Sequence, residues 1–104
     1  MKAMIDFSVV PLGVGVSLGE YVAACQRVLE AYGLEHELHA NGTAVEGEWD
    51  RVFDAVRRCH EVVHEMGAPR ITTVIKLSTR TDRDQTLADK VASVERKLGG
   101  GSES

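Results

Sequence analysis

Residues 2–10 alternate strictly. Ala3, Ile5, Phe7 and Val9 share one face, while Lys2, Met4, Asp6, Ser8 and Val10 share the other. A period of two predicts a strand. The first face is wholly apolar and the second is mixed, so the second is expected to be covered by something small or by another subunit. Pro11 to Val16 reads as a loop whose glycines turn the chain. It has a faint look of a dinucleotide fingerprint, but Leu18 occupies the third glycine position and the chain is too short for a full doubly wound sheet. Ser17 and Glu20 then form a capping box. Val22, Cys25, Val28, Leu29 and Tyr32 follow at helical spacing, and Gly33 is placed to end the helix. The first helix is predicted over 17–32.

Leu34 to Ala40 alternates again, with Glu35, Glu37 and His39 set against Leu34, His36, Leu38 and Ala40. Asn41-Gly42 follows as a tight-turn signal, because both residues tolerate a positive φ. In the next strand, Thr43, Val45 and Gly47 face one way and Ala44 and Glu46 the other. The second helix is predicted from Glu48 to Met66. Its apolar stripe is Val52, Val56, Cys59, Val63 and Met66, with Trp49 and Phe53 at the margin. Glu48 and Asp50 suit the positive end of its dipole. Gly67 ends it and Pro69 prevents a restart. Arg70 to Thr79 is a β-branched strand, with Ile71, Thr73, Ile75 and Leu77 on one face and Thr72, Val74, Lys76 and Ser78 on the other. Thr81-Asp82-Arg83-Asp84 caps a last helix. Leu87, Val91, Val94 and Leu98 form a narrow seam on it, which is more often an interaction surface than a core element.

The order is βαββαβ followed by a helix. It predicts an α+β, ferredoxin-like sandwich with a four-stranded antiparallel sheet and an extra C-terminal helix. One domain is expected over residues 1–98, with 99–104 a flexible tail.

Composition narrows the function. A formal net charge of −4 over 104 residues lacks the basic footprint of non-specific nucleic-acid binding. No apolar run reaches the ~20 residues of a membrane span, and Asp6 interrupts the N-terminus too early for a signal peptide. Cys25 and Cys59 both fall in helical patterns, which points to buried free thiols in a reducing cytoplasm.

Motifs narrow it further. His60-Glu61-Val62-Val63-His64 is a literal zinc-protease string, and a metal-dependent hydrolase is the third reading it allows. Both histidines flank the apolar stripe and the helix ends within a turn, so boundary histidines are the better reading and no metal is assigned. His36 and His39, three apart on a strand, point to opposite faces and make a poor metal pair. Neither a Ser-His-Asp spacing nor a phosphate loop supports transfer chemistry. Glu46, in the middle of a short strand, belongs either to a solvated face or to a pocket.

Four segments together resemble the thiamine-binding, MTH1187/YkoF-like family of small ferredoxin-like proteins, once an uncharacterised UPF0045/DUF77 group. They are the first strand into Val10-Pro11-Leu12-Gly13, the stretch Gly42-Thr43-Ala44-Val45-Glu46-Gly47-Glu48-Trp49, the stretch Gly67-Ala68-Pro69-Arg70-Ile71-Thr72-Thr73, and Lys76 to Asp82 with Arg80. The resemblance covers residues 2–98. It implies a non-catalytic protein that binds thiamine or its hydroxymethylpyrimidine moiety and assembles into dimers or tetramers, with no cofactor. It implies Glu46 as the carboxylate partner of the ligand, with Thr43 in the same motif. Strand geometry adds Ser8 and Asn41, and Thr73 is a further hydroxyl on a neighbouring strand. Lys76 and Arg80 fit the family pattern as ligand contacts or as oligomer salt bridges. The alternative is a regulatory or scaffolding oligomer without a small-molecule ligand.

Overall fold

The computed structural model describes residues 1–15, 18–82 and 87–103. The chain runs β1 (Lys2–Leu12), α1 (Gly19–Ala31), β2 (Glu35–His39), β3 (Gly42–Glu48), α2 (Trp49–Glu65), β4 (Arg70–Ser78) and α3 (Leu87–Glu103). The strands form one antiparallel sheet in the order β2-β3-β1-β4. This is the ferredoxin-like arrangement that the sequence predicts, with a helix added at the C-terminus.

Alternation along the strands decides what is buried. Ile5 and Phe7 of β1 and Val45 of β3 form one core cluster with Cys25, Val28 and Leu29 of α1 and the Val52–Val63 stripe of α2. Burial of such aliphatic side chains contributes about 1.5–3 kcal/mol each. Both cysteines are free and buried in this layer. The two helices end in the same way. Gly33 and Gly67 take φ of 66° and 106°. The N–H of Gly33 donates to Glu30 O at 2.9 Å and that of Leu34 to Leu29 O at 3.2 Å. Gly67 and Ala68 repeat the pattern onto His64 and Val63. A side chain at either glycine would strain this reversal.

The structure corrects several boundaries. β1 continues through Pro11 and Leu12, which pair with Ile71 and Arg70 of β4. Its pairing with β3 ends at Phe7↔Thr43. Past that point β1 has a strand on one side only, and an edge of this kind tolerates a proline, which has no N–H to give. α1 begins at Gly19, with Leu18 as an N-cap that makes no side-chain bond. Ser17, the other half of the predicted capping box, lies outside the described residues. Met66 falls just past the end of α2 and is 38% exposed, while Ala55 is a further buried member of the stripe.

The hairpin turn also differs. His39 pairs with Gly42, so Ala40 and Asn41 make the turn. Among the described residues no non-glycine has a positive φ, and Gly42 is not one of the positive-φ glycines. Gly42 is needed for space rather than for φ. A Cβ there would lie 2.8 Å from the Phe7 carbonyl oxygen and 3.0 Å from Asp6 Oδ1.

α3 lies across the second face of the sheet. Val91 and Val94 stand over Met4 and Ala44, around a cavity of about 530 Å³. The face predicted to need cover thus receives part of it from the chain's own last helix. Val91 and Val94 remain about half exposed, and Val74 of β4 is 63% exposed. Arg83 and Asp84, half of the predicted cap, lie outside the described residues. α3 runs on through Gly99–Gly101 to Glu103, where the sequence predicts a flexible tail. Each glycine costs about 1 kcal/mol in a helix interior relative to alanine.

Candidate ligand cavity at the hairpin tip

Beyond Phe7, where β3 stops, β1 leaves an open flank. The β2–β3 turn closes it on one side and the first turns of α1 on the other. The half-open cavity between them is about 750 Å³, within the usual range for small-molecule sites. Its apolar walls are Phe7, Val9 and Val10 from β1, Leu18 and Val22 at the start of α1, and Leu38 from β2. Ser8, Gln26, His39, Asn41 and Thr43 supply the polar groups. A mostly apolar cavity with a few convergent polar groups is the usual form of a small-molecule site.

Each polar group is held by its own element. Thr43 faces the helices from β3 and is only 5% exposed. Gln26 reaches it from α1, its Nε2–H donating to Thr43 Oγ1 at 2.9 Å. His39 stands at the mouth. Its Nε2–H donates to Asp6 Oδ1 at 2.7 Å, and the N–H of Asn41 donates to its Nδ1 at 3.3 Å. His39 also borders the smaller cavity beneath α3, so it forms part of the wall between the two.

The five ligand residues expected from the sequence do not meet in one place within the chain. Thr43, Asn41 and Ser8 line the hairpin cavity. Glu46 is on the opposite face of the sheet, in register with Met4 and Glu35, and is 8% exposed. Thr43 and Glu46 are three positions apart on a strand, and that spacing alone forces them to opposite faces. Thr73 bonds to His60 of α2, with Oγ1 2.6 Å from Nε2. Lys76 lines the cavity beneath α3, beside Asp6, Glu37 and Glu95. Arg80 pairs with Asp82 through two contacts of 2.8 and 2.6 Å. Trp49, which the sequence places in the functional stretch, stands at the other end of β3 and stacks on Phe53 with ring centroids 4.9 Å apart.

Gln26 and His39 were missed as site residues. Gln26 had a signal: it lies four residues after Val22 and three before Leu29, so it is a polar residue inside the apolar stripe of α1. Nothing in the pattern marked His39, because its role depends on Asp6, which reaches it across β3.

The zinc-protease string is used structurally. His60 holds Thr73, and the Nδ1–H of His64 donates to the Ala68 carbonyl at 2.8 Å. Burial, and then the neighbouring His64, push the pKa of His60 down. Among the described residues, no three His, Cys, Asp or Glu side chains gather as metal donors.

Comparison with known proteins agrees with the fold. A family model for a thiamine-binding protein matches residues 5–95. The UPF0045 protein sll0230 of Synechocystis is 61% identical over 95 residues, which are 91% of this chain and 78% of that one. The crystal structure of a hypothetical protein, MJ1052 of Methanocaldococcus jannaschii, superposes with a TM-score of 0.84 at 30% identity, covering 90% and 96% of the two chains. A candidate thiamine biosynthesis/salvage protein of Thermotoga maritima superposes with a TM-score of 0.77, covering 90% and 99%. At 21% identity this speaks to the fold alone.

Proposed function

The chain belongs to the thiamine-binding protein family, and from that premise we propose that it is a non-catalytic binding protein for thiamine or its hydroxymethylpyrimidine moiety, held in the hairpin cavity. The observation that carries this reading is the cavity itself: about 750 Å³, walled by Phe7 and aliphatic side chains, with the bonded pair Gln26 and Thr43 and with Ser8 and Asn41 as further polar lining. The pyrimidine is the flat, hydrogen-bonding half of thiamine and suits those polar groups. The thiazolium half is cationic and suits the mouth, where Asp6 supplies a carboxylate through His39.

The protein acts as a homo-oligomer in the cytoplasm. Val74, Val91, Val94 and Leu98 support self-association, since each is an apolar side chain left at least 45% exposed. The two buried free thiols fit a reducing compartment. Among the described residues no helix is long and apolar enough to cross a membrane. The exposed seam of α3 favours one alternative, a scaffolding or regulatory oligomer that binds no small molecule.

Titration calorimetry with thiamine and with hydroxymethylpyrimidine tests the reading, on the wild type, Thr43→Val and Glu46→Gln. Saturable heat that Thr43→Val weakens and Glu46→Gln leaves unchanged is the expected result. The reverse pattern would move the ligand to the α3 side of the sheet. No heat with either compound would leave the scaffolding alternative.

A further inference from the structure

Gln26 is the one carboxamide that α1 directs at the sheet. It is half-buried beside the buried Cys25, and it lines the hairpin cavity together with Val22 and Phe7. A carboxamide carries two N–H donors and a carbonyl acceptor. Among the described residues one hydrogen bond of this side chain is present, from Nε2 to Thr43 Oγ1. One N–H and the carbonyl oxygen of the same planar group remain without a partner among the described residues. A carboxamide edge pairs with a ring nitrogen next to an exocyclic amine, as Asn and Gln side chains do with adenine. A 4-aminopyrimidine presents that pattern.

We propose that Gln26 reads the aminopyrimidine edge of the ligand, accepting from the exocyclic amine through Oε1 and donating to the adjacent ring nitrogen through the N–H that Thr43 does not use. Thr43 is then a positioning residue. Its hydroxyl is fixed on β3 and 5% exposed, and it holds the amide in place before the ligand arrives. An amide ordered beforehand loses less side-chain freedom on binding. Once a bound ring covers this edge, leaving it unpaired disfavours any ring that lacks the amine, which makes Gln26 a specificity determinant. The inference rests on the reading of the hairpin cavity as a pyrimidine site.

The test pairs variants with ligands. Hydroxymethylpyrimidine and the same compound without its 4-amino group are titrated into the full chain, by calorimetry and, for weak binding, by ligand-observed NMR. In the wild type, loss of the amine should weaken binding about ten- to a hundredfold. In Gln26→Leu both compounds should bind with the same low affinity. Gln26→Glu, which keeps the size and one acceptor, should retain only part of the preference, and it replaces Gln26→Leu if that variant fails to fold by circular dichroism. Thr43→Ser should keep the preference. A full amine preference surviving in a folded Gln26→Leu, or in Gln26→Glu where that variant stands in, would overturn the assignment of Gln26 and leave the cavity standing. Failure of the wild type to bind either compound would overturn both.

Discussion

The two faces of this sheet are built from the same strands and solve opposite problems. On the helix side, Ile5, Val45, Leu29 and Val63 are 0–2% exposed, and polar pairs such as Gln26–Thr43 and His60–Thr73 stand at its margins. On the α3 side, Asp6, Glu37, His39, Lys76 and Glu95 surround a cavity whose apolar wall includes the half-exposed Val91 and Val94. The first face is closed by two helices whose ends are fixed by glycine reversals. The second is half-covered by one helix with a narrow seam. A closed face can hold a small ligand against a fixed hydrogen-bond pattern. An open, mixed face suits a second copy of the chain.

Truncation should separate the faces most strongly. Leu29→Ala removes a side chain with no exposure and should cost about 2–5 kcal/mol of stability in urea unfolding. Val74→Ala, at 63% exposure within the single chain, should stay within about 0.5 kcal/mol at dilutions where the chain is monomeric and should cost more as rising concentration pairs copies over this face. Equal losses would mean that the second face is buried in solution, which is how a stable oligomer would announce itself.

Gly42→Ala comes next. Its Cβ would meet the Phe7 carbonyl oxygen, which belongs to a strand interior and cannot swing aside. A loss of about 1–3 kcal/mol is expected, with a shifted hairpin tip visible as changed amide resonances at Asn41 and Thr43. An unchanged melt would show that the turn has room the structure does not give it.

Thr43→Val deletes the acceptor of Gln26 at nearly constant volume and should cost about 0.5–1.5 kcal/mol in the same unfolding experiment. The smallest effect should be that of pH on the opposite flank of the helix layer. Burial lowers the pKa of His60 from its ordinary 6.5. A lowered value means that the folded state resists protonation, so its contribution is complete above pH 6.5 and declines as pH falls through the folded value. The urea midpoint should therefore drop between pH 7 and 5, and His60→Gln should flatten that slope.

Much of this was legible in the chain. The period-two stretches, the stripes through Cys25 and Cys59 and the glycines at 33 and 67 each follow from local stereochemistry, so element type and order could be read directly. The facing of Thr43 against Glu46 was equally legible, because alternation is a property of a single strand. That they would be drawn into one site was an expectation taken from their closeness in sequence, and the pleat separates them.

Local rules were weaker wherever a distant segment intervenes. Asn41-Gly42 carries a turn signature, yet the turn is made one residue earlier, because Gly42 is needed against Phe7 and Asp6. Pro11 reads as a loop residue, yet it joins β1 because β3 ends before it. The sequence by itself determined the strands, the helices, their order and the inward residues, since these rest on backbone geometry and burial within one element. The tertiary structure alone decided the cavity, the Gln26–Thr43 and Asp6–His39 pairs and the partial cover by α3. Each depends on where one element stops against another, a distance that no local pattern encodes.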